Sequence, residues 1–255
     1  MRRGAAFLVL SGLGLVGVLA LVPVLGPALD QVRRLPDAPA LPDSALIALL
    51  LLQPSLLLLA SVGVGVALAE RAGLTSLVLR RCLGKAPSGD SGGWLTALAL
   101  AALAGGAAAA ADLVLRGLFP ASFAGIPRLD EVTPGQRATA LLYGGVTEEL
   151  IMRFGLMTLL VWLGARWFGR RPPWLVWAAI SIAGLAFAAG HLPALAGTGR
   201  PDAVLVLRTL GLNAALGLLY GWLYAARSLE HAMLAHAATH VMFWVATPFL
   251  VTLGI

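Results

Sequence analysis

The chain has 255 residues, 59% of them hydrophobic and only 12% charged, with a mean hydropathy of +0.89. Soluble domains carry about 25% charged residues, so a water-soluble globule of this composition could not cover its own surface, and a disordered chain would be poorer in apolar residues. The chain reads as an integral membrane protein. Its net charge of +6 does not mark a nucleic-acid binder, because the basic residues sit at segment ends rather than in one patch.

A membrane-crossing helix takes about 20 mainly apolar residues. Seven stretches qualify: 5–25, 45–69, 94–116, 136–165, 174–196, 203–227 and 229–253. Leu and Ala dominate them, without the alternating polarity of barrel strands. The expected fold is all-α, a polytopic transmembrane bundle of seven membrane segments. The first segment follows Arg2 and Arg3 as a signal peptide would. Its long apolar run and lack of a clear small-x-small cleavage site favour a retained helix. Residues 26–43 read as a loop, Gly84 to Gly93 as a flexible linker and 117–135 as a polar connection. No internal repeat supports an inverted-repeat transporter. Cys82 is the only cysteine, so no intrachain disulfide can form.

Ten basic residues fall on one side of this topology: Arg2, Arg3, Arg71, Arg80, Arg81, Lys85, Arg166, Arg170, Arg171 and Arg227. The other side carries Arg33, Arg34, Arg128, Arg137 and Arg200, with Asp30, Asp37, Asp43, Asp130, Glu131 and Asp202. The positive-inside rule puts the N-terminus in the cytoplasm. The Ala, Leu, Arg and Gly bias points to a bacterial gene, hence an inner membrane.

Ionisable residues are absent from the interiors of the first two segments. The third holds Asp112 and Arg116, spaced to neutralise one another on one helix face. The histidines, His191, His231, His236 and His240, all lie in the last quarter of the chain. Residues 1–115 are therefore read as N-terminal helices of unassigned role, and 136–250 as a functional core of four helices.

The fourth segment contains Tyr143-Gly-Gly-Val-Thr-Glu148-Glu149-Leu-Ile-Met-Arg153-Phe. Each ionisable side chain at mid-membrane costs roughly 2.5–3.5 kcal/mol, so the trio needs a compensating network. Glu149 and Arg153 share a face and can pair, whereas Glu148 lies about 100° around the helix. Glu148 is suited to taking a proton from water, the alternative being a buried ion-pair lock. Gly144 and Gly145 permit close helix approach. In the fifth segment Phe187 stands one turn before His191, where its ring could orient the imidazole. In the seventh, His236 and His240 face one way, a spacing that serves one metal ion or one developing oxyanion. His231 is read as interfacial rather than catalytic.

These three motifs together, Glu148-Glu149-x-x-x-Arg153, Phe187-x-x-x-His191 and His236-x-x-x-His240, resemble the CAAX prenyl protease 2 family. That family is also called the CPBP or Abi intramembrane proteases and includes bacteriocin self-immunity proteins. The resemblance covers residues 136–245, and position 240 departs from it, carrying His where the family has Asn. It implies an intramembrane endopeptidase, a peptide hydrolase acting on a membrane-embedded or lipid-anchored peptide, with CAAX-box protein processing as the eukaryotic example. By analogy Glu148 and His191 activate water, His236 and residue 240 stabilise the oxyanion, and Glu149, Arg153 and Phe187 support them. Glu148, His191, His236 and His240 would also suit a divalent metal such as zinc, as in a metalloendopeptidase. No organic cofactor is expected. The partners expected are the lipid bilayer and a membrane-associated peptide, with no nucleic acid. The alternative is a non-catalytic immunity or scaffold protein holding a peptide in the same cavity. A proton-coupled carrier using Arg208 and Asn213 is a third reading.

Counted along straight helices, His191 falls in the outer half of the membrane, Glu148 and His240 near the middle and His236 in the inner half. A break near Pro193 would be needed to gather them.

Overall fold

The computed structural model describes residues 2–36, 40–86, 93–196 and 201–254. Residues 87–92 of the expected linker, together with Asp37 and Arg200, lie outside the described residues. Among those described there is no strand. The helices are α1 (Arg2–Leu19), a 3₁₀ turn at Val22–Val24, α2 (Gly26–Arg33), α3 (Asp43–Leu68), α4 (Leu77–Cys82) and α5 (Gly93–Leu118). They continue with α6 (Pro134–Thr139), α7 (Thr158–Phe168), α8 (Pro173–Gly190), α9 (Leu192–Ala196), α10 (Ala203–Ala226) and α11 (Leu229–Thr252).

Among the described residues six stretches are long and apolar enough to cross a membrane: Arg2–Val24, Asp43–Leu68, Gly93–Leu118, Pro173–Leu195, Ala203–Ala226 and Leu229–Thr252. The fourth expected segment is not an uninterrupted α-helix, which is why the count differs from seven. Between α6 and α7 the chain stays helical but runs in π geometry, over Ala140–Glu148 and again over Leu150–Met157. Such i→i+5 stretches are rare and concentrate at functional sites. Both acidic residues of the first motif fall where these stretches meet.

Local chemistry sets the ends of the composite helix. Thr133 and Gln136 form a reciprocal capping box with Pro134 in the first turn, which satisfies two orphan N–H groups. Gly169, at φ +66°, ends α7 in the left-handed conformation that glycine adopts without penalty. Asp202 caps α10 by accepting from the Leu205 N–H, and Ser228 caps α11 through the His231 N–H. Helix α8 stops at Gly190, and His191 turns the chain into the short α9. Pro193 cannot continue the ladder, since it lacks an N–H. The break expected near Pro193 is thus present.

The basic connections gather at one end of the bundle. There Arg2 donates to the Leu83 carbonyl, Arg3 pairs with Glu70, and Arg171 donates to the Gly73 carbonyl. Glu230 accepts from the Ser76 hydroxyl and from the N–H groups of Leu77 and Val78, tying α11 to α4. At the opposite end Asp202 accepts from Ser122, and Arg33 pairs with Asp43. This segregation is the one the charge distribution predicts.

The N-terminal helices pack directly on the later ones. Thr147 donates to the Gly14 carbonyl of α1 at 2.8 Å. Gly65 of α3 lies under the Phe154 ring, and Gly155 faces Ser61. Gly105 of α5 meets Met242 of α11. One apolar cluster includes Leu10, Leu58, Phe154, Ile180, Tyr220 and Leu229. Outward faces carry Leu8, Leu95, Leu103, Leu185 and Leu207, all strongly exposed, a surface that lipid tolerates and water does not. The protein is a multi-pass membrane protein.

Helices α8 and α10 come close at two facing glycines. A methyl group added at Gly217 would lie 2.9 Å from the Gly184 Cα, a backbone atom that cannot swing aside. Gly217→Ala should therefore force the helices apart and lower stability by about 1–3 kcal/mol, read as reduced thermal stability in detergent. Gly106→Ala, with open space around it, should leave stability within about 0.5 kcal/mol.

Candidate active site

The fourth, fifth, sixth and seventh expected segments converge on one constellation. Glu149 and Arg153 are both fully buried, with Arg153 Nη1 and Glu149 Oε1 3.1 Å apart as an ion pair. The alignment is not that of a hydrogen bond, and Glu149 Oε2 has no protein partner among the described residues. Arg153 Nη2 donates to the Gly217 carbonyl at 3.0 Å. Its guanidinium also lies over the rings of Phe187, at 4.8 Å, and Tyr220, at 5.4 Å. One cation thus holds the composite helix, α8 and α10 together. The internal pair expected between Glu149 and Arg153 is present, and the Gly217 carbonyl and Tyr220 complete it.

His236 lies directly above. Its Nδ1 is 2.8 Å from Glu149 Oε1 and its Nε2 is 3.9 Å from Glu148 Oε2. It is sandwiched between Tyr220, stacked at 4.5 Å, and His240, stacked at 5.1 Å, with the Phe187 edge at 5.5 Å. His236 is almost completely buried. It touches both carboxylates, but its ring does not line the cavity that the other groups share.

That cavity has a volume of about 250 Å³ and is bounded by Tyr143, Gly144, Glu148, His191 and His240, with Val24 and Thr139. Three of the four expected catalytic groups therefore face one space. Glu148 keeps 21% of its side chain exposed, against none for Glu149, which separates the two acids as the spacing implied. His191 Nδ1 lies 2.8 Å from the Phe187 carbonyl oxygen. A carbonyl only accepts, so Nδ1 carries the proton and Nε2 presents a lone pair. The Phe187 ring meets the imidazole edge-on at 4.6 Å, the orienting contact the motif implied. His240 is held by ring contacts, to His236 and, at 5.8 Å, to Phe243. Gly144 leaves room for it, since a methyl group there would lie 3.1 Å from His240 Nε2. Gly145 makes the close approach, with its added methyl 2.9 Å from Ala237 Cβ.

A second cavity of about 350 Å³ adjoins the first. The two share Gln136, Ala140, His191 and His240, and the second adds Arg128, Glu131, Arg208 and Asn213. Both lie toward the end away from the basic connections. Asp112 is fully buried here and paired twice, to Arg116 as expected and to Arg208 from α10. Sequence spacing could not reveal that second partner. Asn213 donates to the Thr209 carbonyl, and Arg208 and Asn213 belong to the wall of this cavity rather than to a relay crossing the bundle. His231 stands apart, buried at the start of α11, stacked on Trp94 at 4.0 Å and bonded to Ser228.

Among the described residues no three His, Cys, Asp or Glu side chains are grouped to hold a metal ion. The set expected from sequence, Glu148, His191, His236 and His240, is not assembled as ligands. His191 directs Nδ1 at a carbonyl, and His236 directs Nδ1 at Glu149 with its other nitrogen 3.9 Å from Glu148. Each of these Nδ1 bonds leaves Nε2 of its ring unspent; what the described residues lack is three such donors gathered around one point.

The buried cluster sets a stability test. Removing one partner of a buried ion pair costs about 3–5 kcal/mol, so Arg153→Leu should lower thermal stability by that order. Adding Glu149→Gln should restore part of the loss, because the stranded charge is then gone. A double variant less stable than Arg153→Leu would contradict the pairing.

No curated protein and no solved structure matches the chain. Residues 133–242 match the family model described as type II CAAX prenyl endopeptidase, Rce1-like. The match begins at the capping box of the composite helix and ends two residues beyond His240, so it contains Glu148, Glu149, Arg153, His191, His236 and His240. Over these residues the chain is similar to the Rce1-like type II CAAX prenyl endopeptidases.

Proposed function

We propose that the protein is an intramembrane endopeptidase that hydrolyses a peptide bond in a membrane-embedded or lipid-anchored substrate by an acid- and imidazole-activated water. The observation that carries this reading is the shared cavity of Glu148, His191 and His240, with Glu149 and Arg153 sealed behind it. Glu148 is the accessible carboxylate and acts as general base toward a water in that cavity. His191, with its Nδ1 proton given to the Phe187 carbonyl, offers Nε2 as a second acceptor that orients the water. As the water adds to the scissile carbonyl, Glu148 takes its proton and later delivers it to the leaving amine.

The negative charge that develops on the carbonyl oxygen needs donors aimed at it. His240 supplies a ring N–H from the cavity wall, replacing the amide of the family's Asn. His236 supports it from behind: its Nδ1–H is held by Glu149, and its ring stacks on His240 and fixes that imidazole in place. Glu149 and Arg153 hold that imidazole and are positioning residues. No step passes through a metal.

Under the positive-inside reading, the basic end is cytoplasmic and the cavities open away from it, in a bacterial inner membrane. Cys82 lies at the basic end and serves as an internal reference. A cysteine introduced at Glu131, which lines the second cavity, should react with a membrane-impermeant maleimide in intact cells. Cys82 should react only after permeabilisation, and the reverse pattern would invert the orientation.

Glu148→Gln should reduce cleavage of a verified substrate by about 10²–10⁴-fold, the usual contribution of a general base, while the protein still inserts and keeps its thermal stability. Full activity in that variant would remove Glu148 from the chemistry. Activity should survive chelation with EDTA. If Glu148→Ala fulfils the cellular role as well as wild type, peptide capture without hydrolysis replaces the enzymatic reading.

A further inference from the structure

The face of α3 that turns away from the bundle carries a polar group to which lipid offers no partner. Gln53 lies inside Asp43–Leu68, about 15 Å along the axis from Asp43 at the helical rise per residue. The hydrocarbon layer is about 30 Å thick, which puts the Gln53 amide near its centre. Gln53 is exposed and makes no hydrogen bond among the described residues. Asn213, the carboxamide of α10, returns its N–H to the Thr209 carbonyl of its own helix, and Gln53 makes no such bond. Pro54 follows it inside α3 and has no N–H to give the Leu50 carbonyl.

Around that amide the exposed face keeps the spacing of a coiled coil. Leu49, Gln53, Leu56, Ala60 and Gly63 follow one another at alternating steps of four and three residues, as in a heptad seam. The first four are exposed and Gly63 is half-buried, with room for a methyl group that would meet the Phe7 ring only at 3.9 Å. Small side chains at the Ala60 and Gly63 end let a neighbouring helix approach closely. Beside the seam, α3 and the composite helix leave an apolar groove of about 260 Å³, walled by Leu57, Ala60, Ile151, Met152 and Leu156. That groove gives the leucines of a neighbouring helix a place to insert.

An amide without a partner in hydrocarbon is costly, and satisfying it takes another polar group at the same depth. A lipid chain fills the groove but brings no such group to the bilayer centre. A second copy of this chain inserts in the same orientation and carries its own Gln53 at that level. A two-fold axis along the membrane normal sets the two amides against one another. Each carboxamide both donates and accepts, so the pair is self-complementary. A single polar residue in such a seam fixes the register and the number of helices that join.

We infer that the protein forms a homodimer in the membrane, its two α3 helices parallel and joined through Gln53 along the seam from Leu49 to Gly63. The inference does not rest on the peptidase reading, since no seam residue lines either cavity of the candidate site.

The test uses the purified full chain, labelled on an appended C-terminal tag with a donor or an acceptor fluorophore, in phosphatidylcholine liposomes at increasing dilution in lipid. Energy transfer should fall with dilution along the isotherm of a dimer. Gln53→Leu, a change on an exposed face, should weaken association by at least about fivefold, and Gln53→Asn should retain part of it. Energy transfer no greater than random proximity gives at every dilution overturns the inference, as does an unchanged isotherm in Gln53→Leu. In a Cys82→Ser background, oxidation should link Leu56→Cys copies into a covalent dimer and leave Leu103→Cys, on the exposed face of α5, unlinked. Linkage through Leu103→Cys instead moves the interface to α5 and overturns the assignment. Linkage of Leu56→Cys to a different protein in native membranes, with the purified chain monomeric, gives the face to another partner and also overturns it.

Discussion

The structure depends on a cation placed where water cannot reach it. Arg153 is fully buried and answers to a carboxylate, a backbone carbonyl and two aromatic faces, drawn from the composite helix, α8 and α10. An unpaired charge at that depth would be driven out of the bilayer. Satisfying it instead requires the composite helix, α8 and α10 to keep one relative position. His236 joins the same network through Glu149, which brings α11 into register. The buried pair thus acts less as a source of net stability, which buried pairs rarely provide, than as a device that permits one arrangement of four helices.

That arrangement divides the labour between adjacent acids. Neighbouring residues on a helix point in different directions, so the same backbone sends Glu149 into the packed interior and Glu148 to the cavity. The first sets the orientation of an imidazole, and the second stays partly exposed. His191 shows a related economy: ending α8 at that residue points Nδ1 back to the Phe187 carbonyl and turns its other nitrogen outward.

Much of this was legible in the sequence. Apolar length and composition disclosed the membrane bundle, and the spacing of Glu149 and Arg153 disclosed their pairing. Glu148, His191 and His240, grouped in the sequence reading, line one cavity. What was not legible had a physical cause in each case. The fourth segment departs from ideal α geometry, so window counting made it one more regular span. Straight-helix counting put His191, Glu148 and His236 at different depths because it could not include the end of α8 or the π stretches. The donor inventory suited a metal, but spacing along the chain does not say whether three donors reach one point, and among the described residues they do not. Tyr220 was overlooked because a tyrosine in an apolar helix carries no periodic signal. Arg208 entered only in the carrier reading with Asn213, since its ion-pair partner Asp112 lies on a distant helix.

Asp112 belongs to α5, outside the stretch of chain that matches the family, yet it decides how much charge Arg208 presents to the cavity. The groups that line the first cavity and the electrostatic character of the chamber beside them are therefore inherited from different portions of the polypeptide. Proteins that share the matched helices but carry another residue at that point of the preceding helix would keep the same reacting groups in a chamber of different polarity. Diversification of what such proteins accept then proceeds through a helix outside the matched stretch.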